Sequence, residues 1–546
     1  MSSIRITGLA TGIDTDKLIK DIMNVERTRV DKVQQDRQIL QWRQELYNSI
    51  NKDFANFILN TRKSFGLTGT TSTGAMYNNT LNNLNWIKSA TSSNENVVKA
   101  STTAQAIDGN YNLTVHRLAD GVKAASGEDI KAGIEGVLSG LPEGGTIEFK
   151  INDGSTITIE KTDTMSSIVK KINSSGAGVQ ASFDDNIGRL FIQTTATGKD
   201  AKLSFTDVNG STGFIEALKL NVTAYDESTG EIETPKALAI NEIYKGTNAK
   251  IDFAGATGIE KQSNQFTING INLDLRVTGT TTIRVATDTD AVYDKIKDFV
   301  DKYNELVDKM GKLLGEKQYR DYRPLSAEQK EAMKEKEIEL WEEKAKSGLL
   351  RNDSIISRTM QNIRGSLYNK VEELKDMPLN SLYQIGIDTE GYTPGAVGGK
   401  LEINEDKLKK AISEDVNGVL ELLFTEAKTT TQNGKTVPDL KSGGVITRIY
   451  NNMIDGMKEI IGKAGPGEDA NLYRNVNTRL MLDFVTEHSS ISMLDKDVTS
   501  LSRRIDDLNA QLIRTEDRYY RQFAAMEKFV QQMNSQGSWM MQQLGM

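Results

Sequence analysis

The chain has 546 residues, too many for one compact core, and about one domain per 100–200 residues points to three or four domains. Hydrophobic residues make up 37% and charged residues 26%, and no run of about 18 apolar residues occurs, so membrane insertion through a spanning helix is not expected. A formal net charge of −8 argues against nucleic acid as a partner, and the complete lack of cysteine removes disulfides, thiolate nucleophiles and cysteine-based metal sites.

The first residues, Met1 to Leu9, carry neither a basic leader nor an apolar core segment, so the expectation is a cytosolic protein or one exported without the usual signal. From about Asp14 to Lys63 there is no Gly or Pro, which predicts a long helix of roughly 75 Å at 1.5 Å per residue. Its apolar residues fall at Leu18, Ile22 and Val25, less regularly at Val33 and Leu40, and again at Tyr47, Ile50, Phe54 and Phe57. Spacing of three and four puts each set on one stripe.

From Gly66 to about Ala286 the composition turns to Thr, Ser, Asn and Gly, with short alternating runs such as Tyr111–Val115, Arg189–Gln193 and Thr282–Val285. Turn pairs Asp108-Gly109, Asp153-Gly154 and Asn269-Gly270 punctuate them, the last reading as a hairpin. One helix is expected near Met165 to Ile172, and the length of the region predicts two β-rich modules.

Helix returns at Thr287 or Asp288, either able to cap it, with the stripe Val292, Ile296, Phe299, Tyr303, Leu306, Met310 and Leu313. Ser326-Ala-Glu-Gln329 is a capping box that opens a highly charged helix expected to run to Gly348. Further helices are expected around 355–371, 405–423 and 445–461. In the C-terminal segment Ile491, Leu494, Val498, Leu501, Ile505, Leu508 and Leu512 hold heptad positions, continued by Tyr519, Met526, Phe529 and Met533. Thr515 and Gln522 interrupt, Phe523 substitutes one position later, and the helix is expected to end near 535–538.

Two apolar residues per heptad contribute about 3–6 kcal/mol when buried. Ordering seven backbones costs roughly 7–14 kcal/mol, only partly offset by hydrogen bonds. The terminal helices are therefore expected to pack on each other or on neighbouring subunits, with the β modules inserted at the far end of a helical stalk. A self-contained antiparallel stalk with no assembly role is the plainer alternative.

Candidate chemistry is sparse. His116 and His488 stand far apart, with no His-x-x-x-His spacing and no Gly-x-Ser-x-Gly elbow, so neither a zinc site nor a serine hydrolase is expected. Asp288-Thr-Asp290 lacks the Gly and distal Glu of a calcium loop and reads as a helix cap. Gly8 and Gly12 precede a helix without the Gly-Lys-Ser/Thr of a phosphate loop. The expectation is no enzyme, no cofactor and no metal. Trp539, Met540 and Met541 lie beyond the regular seam and suit an interaction site.

Gly8-Leu-Ala-Thr-Gly-Ile-Asp-Thr-Asp16, leading into Val25-Glu-Arg27 and Trp42, resembles the N-terminal signature of the bacterial flagellar filament cap family. Arg504-Ile-Asp-Asp-Leu508, Tyr519-Tyr-Arg-Gln-Phe523 and Gln532-Met-Asn-Ser-Gln536 resemble its C-terminal signature, and Gly109–Val115, Leu118-Ala119, Ile172-Asn173 and Asp298–Glu305 agree with its interior. The resemblance implies a ring-like homo-oligomer at the filament tip, exported unfolded by the flagellar type III apparatus, that promotes insertion of flagellin beneath it. It further implies a leg built from the terminal helices and a C-terminal end bound by an export chaperone. The charged helix at 326–348 looks like an addition that shorter members lack.

The expected fold is thus α+β and multidomain. Residues 1–45 and 485–546 form a coiled-coil leg, 46–88 and 287–484 a helical bundle, 89–120 and 240–286 an inner β-rich head domain, and 121–239 an outer one. Filament-contact and oligomer-seam candidates are Leu18, Ile22, Val25, Ile505, Leu508, Leu512, Tyr519, Phe523, Met526, Phe529 and Met533, with Trp539 and Met540 as chaperone or filament contacts. Alternatives are an adhesin binding host glycan or protein through the β modules, a filament or hook-junction subunit, and an extracellular hydrolase.

Overall fold

The computed structural model describes residues 14–71, 76–223, 225, 235–391, 398–432, 435–439 and 442–543. The expectation for Gly8 and Gly12 therefore falls outside the described residues. The chain divides into two compact units, 1–77 with 293–546, and 78–292.

The first unit is helical. Its N-terminal helix, Thr15–Ser64, starts where Asp14 accepts a hydrogen bond from the Lys17 N–H at 3.0 Å. The second half of this helix supplies the core: Trp42, Tyr47, Ile50, Phe54, Phe57 and Ile58 are buried. Helix Val445–Ala464 packs on it and helix Ser354–Tyr368 packs in turn on Val445–Ala464, and aromatic rings interlock where Phe57 meets Phe299 at 5.5 Å and Phe65 meets Phe424 at 4.7 Å between centroids. Helix Thr289–Gly315 is entered through Asp288, whose Oδ1 accepts from the Ala291 N–H at 3.0 Å, so Asp288 caps a helix as its sequence context indicated. Its stripe is buried from Val292 to Met310 and then turns by one residue, burying Leu314 where Leu313 was expected.

Arg448 is a buried charge in this core. Its guanidinium donates to the carbonyls of Ser366, Asn369 and Lys370 at 2.8–3.1 Å and so closes the C-terminal end of helix Ser354–Tyr368. A cation there also suits the partial negative charge of the helix terminus.

The second unit holds two antiparallel β assemblies, each with its own core. In one, the five-stranded sheet runs Ala256–Lys261, Ala249–Phe253, Gly109–Arg117, Gly279–Thr287, Lys88–Ser92. A three-stranded sheet of Gln265–Ile268, Ile271–Leu275 and Val98–Thr102 faces the same core of Val98, Leu113, Val115, Ile251, Leu273 and Ile283. The expected hairpin is present: Ile268 pairs with Ile271, and Asn269 (φ 50°) and Gly270 (φ 77°) both take the left-handed backbone that a two-residue turn needs.

In the other assembly, Lys236–Ala237, Leu220–Thr223, Lys123–Ser126, Arg189–Thr194 and Val179–Asp184 form a five-stranded sheet, and Phe205–Asn209, Thr146–Ile151 and Ile157–Glu160 a three-stranded one. Helix Met165–Ser174 matches expectation, and helices Lys131–Ser139 and Thr212–Ala217 were not anticipated. Gly133 and Gly136 hide the first, because glycine is a poor helix former; burial of Ile134 and Leu138 carries it instead.

Three sequence expectations are corrected. The charged segment is two helices, Ala327–Glu331 and Glu335–Lys346, because the chain extends at Lys334 (φ −78°, ψ 150°), whose N–H is taken by the Glu337 carboxylate at 3.2 Å. The C-terminal helix begins at Met493, leaving Ile491 outside it, after Ser489 and Ser490 adopt positive φ. It also continues to Gln543, since the lone Gly537 is tolerated in a run without Pro, and nothing lies within 4 Å of the position its Cβ would take.

Candidate assembly surface

The two terminal helices meet. Gln44 Nε2 donates to the Asp495 carboxylate at 2.7 Å, and Val30 and Val33 pack with Ile505, flanked by Leu501, Leu508 and Leu512. Lower numbers on one helix face higher numbers on the other, so the pair is antiparallel. At equal rise, Thr15 stands opposite roughly residue 520. About 20 residues of the C-terminal helix, some 30 Å, therefore continue past the first turn of its partner.

Burial follows this register. In the column spaced by seven, Ile505 is 5% exposed, Leu512 and Tyr519 are half-buried, and Met526, Met533 and Met540 rise to 38%, 56% and 60%. Phe523 is half-buried, whereas Phe529, Trp539 and Met541 are exposed. The same apolar stripe thus serves as an internal seam at one end and stands open at the other. Charge changes along it as well: after Lys528 the sequence holds no ionisable side chain up to Met546. An uncharged helix with an open apolar stripe lacks what keeps a solvated helix solitary.

In the first half of the N-terminal helix the buried apolar residues are Ile19, Met23, Val30 and Val33. Leu18 and Val25 are exposed and Ile22 is half-buried, so this candidate stripe lies beside the inward face, offset by about one residue. The signal missed in the sequence was the pair Ile19 and Met23, which continues the inward row from Val30 less regularly than Leu18, Ile22 and Val25 continue theirs.

The charged segment lies along the N-terminal helix. Arg323 pairs with Asp36, Arg27 approaches Glu328 at 3.7 Å, and the Lys346 ammonium sits 5.0 Å from the centre of the Trp42 ring. Trp341 Nε1 donates to the Arg323 carbonyl at 2.8 Å, fastening the segment to the chain that leads into it. Exposed pairs of this kind contribute little singly, about 0–1 kcal/mol each, and act here as positioning contacts.

Elsewhere the chemistry is ordinary. His116 and His488 lie in different units; His116 Nε2 sits 2.7 Å from Asp252 on neighbouring strands, and His488 packs over Gly462. The Gly258 N–H and His116 hold the Asp252 carboxyl below its usual range. Among the described residues no group of three or more metal-ligating side chains converges, and no helix is long and apolar enough to cross a membrane. A hollow of about 640 Å³ lined by Lys123, Gln180, Arg189, Phe191 and Asn221 is the open face of a sheet, not an enclosed cavity.

Comparison with known proteins finds relatives along both terminal helices. Residues 11–121 match the family model described as flagellar hook-associated protein 2 N-terminus, 246–535 that of its C-terminus, and 146–196 the flagellin hook IN motif. The flagellar hook-associated protein 2 of Halalkalibacterium halodurans is 30% identical over 98% of this chain and 98% of its own length. That of Thermotoga maritima is 28% identical over 73% of this chain and 54% of its own length. The crystal structure of the flagellar cap protein FliD D1-D2-D3 domains from Escherichia coli aligns with a TM-score of 0.49 at 23% identity, covering 75% of this chain and 94% of that one. Two terminal helices that pair with each other, and models of the family's two ends that take in both, lead to one conclusion: the chain belongs to the flagellar hook-associated protein 2 family.

Proposed function

We infer that the chain is a structural cap at the distal end of the bacterial flagellar filament, where it associates with flagellin and with copies of itself. The observation that carries the mechanism is the open stretch of the C-terminal helix, which presents the column of its internal seam to whatever lies beyond. Met526, Phe529, Met533, Trp539 and Met540 make the main contacts of this leg, with Leu18 and Val25 contributing from the neighbouring helix.

Burying Phe529, Met533, Trp539 and Met540 contributes about 6–12 kcal/mol gross. Association and ordering cost an estimated 4–15 kcal/mol. One leg is therefore a weak, reversible grip, and several copies joined in one cap hold by effective concentration. That is the behaviour needed of an end structure that must release and re-dock as subunits are added. Export through the flagellar type III route, with a chaperone shielding the same uncharged C-terminal stretch beforehand, completes the reading.

The test is removal of 531–546. Filament growth should be lost while the β assemblies and the helical core keep their folds, monitored by circular dichroism of the purified chain. Normal filaments from the truncated chain would defeat the proposal.

A further inference from the structure

We propose that Met526, Met533 and Met540 form an oxidation-responsive column, a modification site through which peroxide turns off the docking of the C-terminal helix. The proposal rests on the reading of that helix as a docking element.

Three consecutive positions of the seam column are methionine, at intervals of seven and so about 10.5 Å apart along one helix face. They are also the exposed end of that column. The chain has no cysteine, so its only sulfur groups are the thioethers of 17 methionines. Met23, Met310, Met360, Met453 and Met457 are buried in the helical unit, out of reach of solute peroxide. Reactivity is thereby concentrated on the surface side chains, and three of these stand where apolar contact is required.

The chemistry needs a hydroperoxide and nothing else. A sulfur lone pair attacks the peroxide oxygen, the S–O bond forms as the O–O bond breaks, sulfur loses two electrons, and hydrogen peroxide leaves as water. The product sulfoxide is polar, chiral and a strong acceptor, so three of them replace an apolar stripe by one that must be desolvated on docking. The change is reversed by the two methionine sulfoxide reductases, one for each epimer, with an added dithiol as the two-electron reductant that ends as a disulfide while the sulfoxide oxygen leaves as water. Docking itself covers the sulfurs, so the undocked chain is the susceptible form.

Full-length wild-type chain and the variant Met526→Leu/Met533→Leu/Met540→Leu are treated with hydrogen peroxide, mapped by peptide mass spectrometry, and compared in filament growth. Sulfoxide is expected at 526, 533 and 540 and at the exposed Met377, Met493 and Met541, which both proteins share, but not at the buried Met310, Met453 and Met457. Measured against each protein's own untreated growth, peroxide should abolish growth of wild type and leave that of the variant unchanged, and the two reductases should restore wild type. Equal loss in both proteins would overturn the proposal by placing the damage elsewhere. Full growth from wild type carrying all three sulfoxides would overturn it too. Failure of the docking reading is distinguished by the untreated chain lacking 531–546, which would then still build filaments.

Discussion

Replacing Ile505 by alanine probes the seam at the point where it is most enclosed. The side chain is 5% exposed and held by Val30 and Val33. Ile505→Ala deletes three carbons at about 0.8 kcal/mol each, or about 2.4 kcal/mol. The added cavity penalty is small, because a seam between two surface helices can close partway over the gap. The loss is local: on the far side of Ile505 only Ile19, Met23 and their neighbours add buried area, while Trp42 to Ile58 belong to the helical core. At tenfold per 1.4 kcal/mol, opening of the helix pair becomes roughly 50-fold more frequent. Amide hydrogen exchange read by peptide mass spectrometry should show this over 16–35 and 498–520, with helix Val445–Ala464 unchanged as the reference. Ile505→Val, losing one carbon, should give only about a fourfold change. Exchange that rises equally throughout the helical core, or not at all near Val30, would refute the assignment of this contact as a separately opening seam.

Arg448→Ala leaves the carbonyls of Ser366, Asn369 and Lys370 buried without this donor, and should destabilise the helical unit by about 3 kcal/mol or more in chemical denaturation. A loss under about 1 kcal/mol would mean water replaces the guanidinium. Asp455 is held above the usual carboxylate range by burial and by the nearby Glu459. Its folded-state pKa being raised, the ionised form is penalised in the folded protein; the stability it contributes is full below the ordinary carboxylate pKa and is lost as pH rises through the raised one. Asp455→Asn should therefore raise the melting temperature near pH 7, with the gain vanishing in acid; a gain that persists below pH 3 would contradict the electrostatic cause.

Much of this fold was legible where one physical rule acts alone. The Gly- and Pro-free stretch from Asp14 predicted a helix that the structure bounds at Thr15 and Ser64, and Asn269-Gly270 predicted its hairpin, because backbone chemistry decides both. Boundaries set by tertiary contacts were not legible. The break at Lys334 depends on where the Glu337 carboxylate lands, and the extension through Gly537 depends on nothing crowding it. The stripe proposed as the assembly surface was legible as a heptad pattern from Leu494 onward. What the pattern could not show is where the internal partner stops, because Met526 and Ile505 occupy the same column and differ only in what faces them.

The contact between Gln44 and Asp495 joins residues 451 apart in the chain. Closing a flexible loop of that length costs about 5 kcal/mol, more than the few side chains of the seam return at first contact. The pair can therefore form only after the intervening units have folded and drawn their ends together. A chain whose intervening units are still unfolded therefore has unpaired terminal helices, and by this loop-closure cost their pairing comes late in folding.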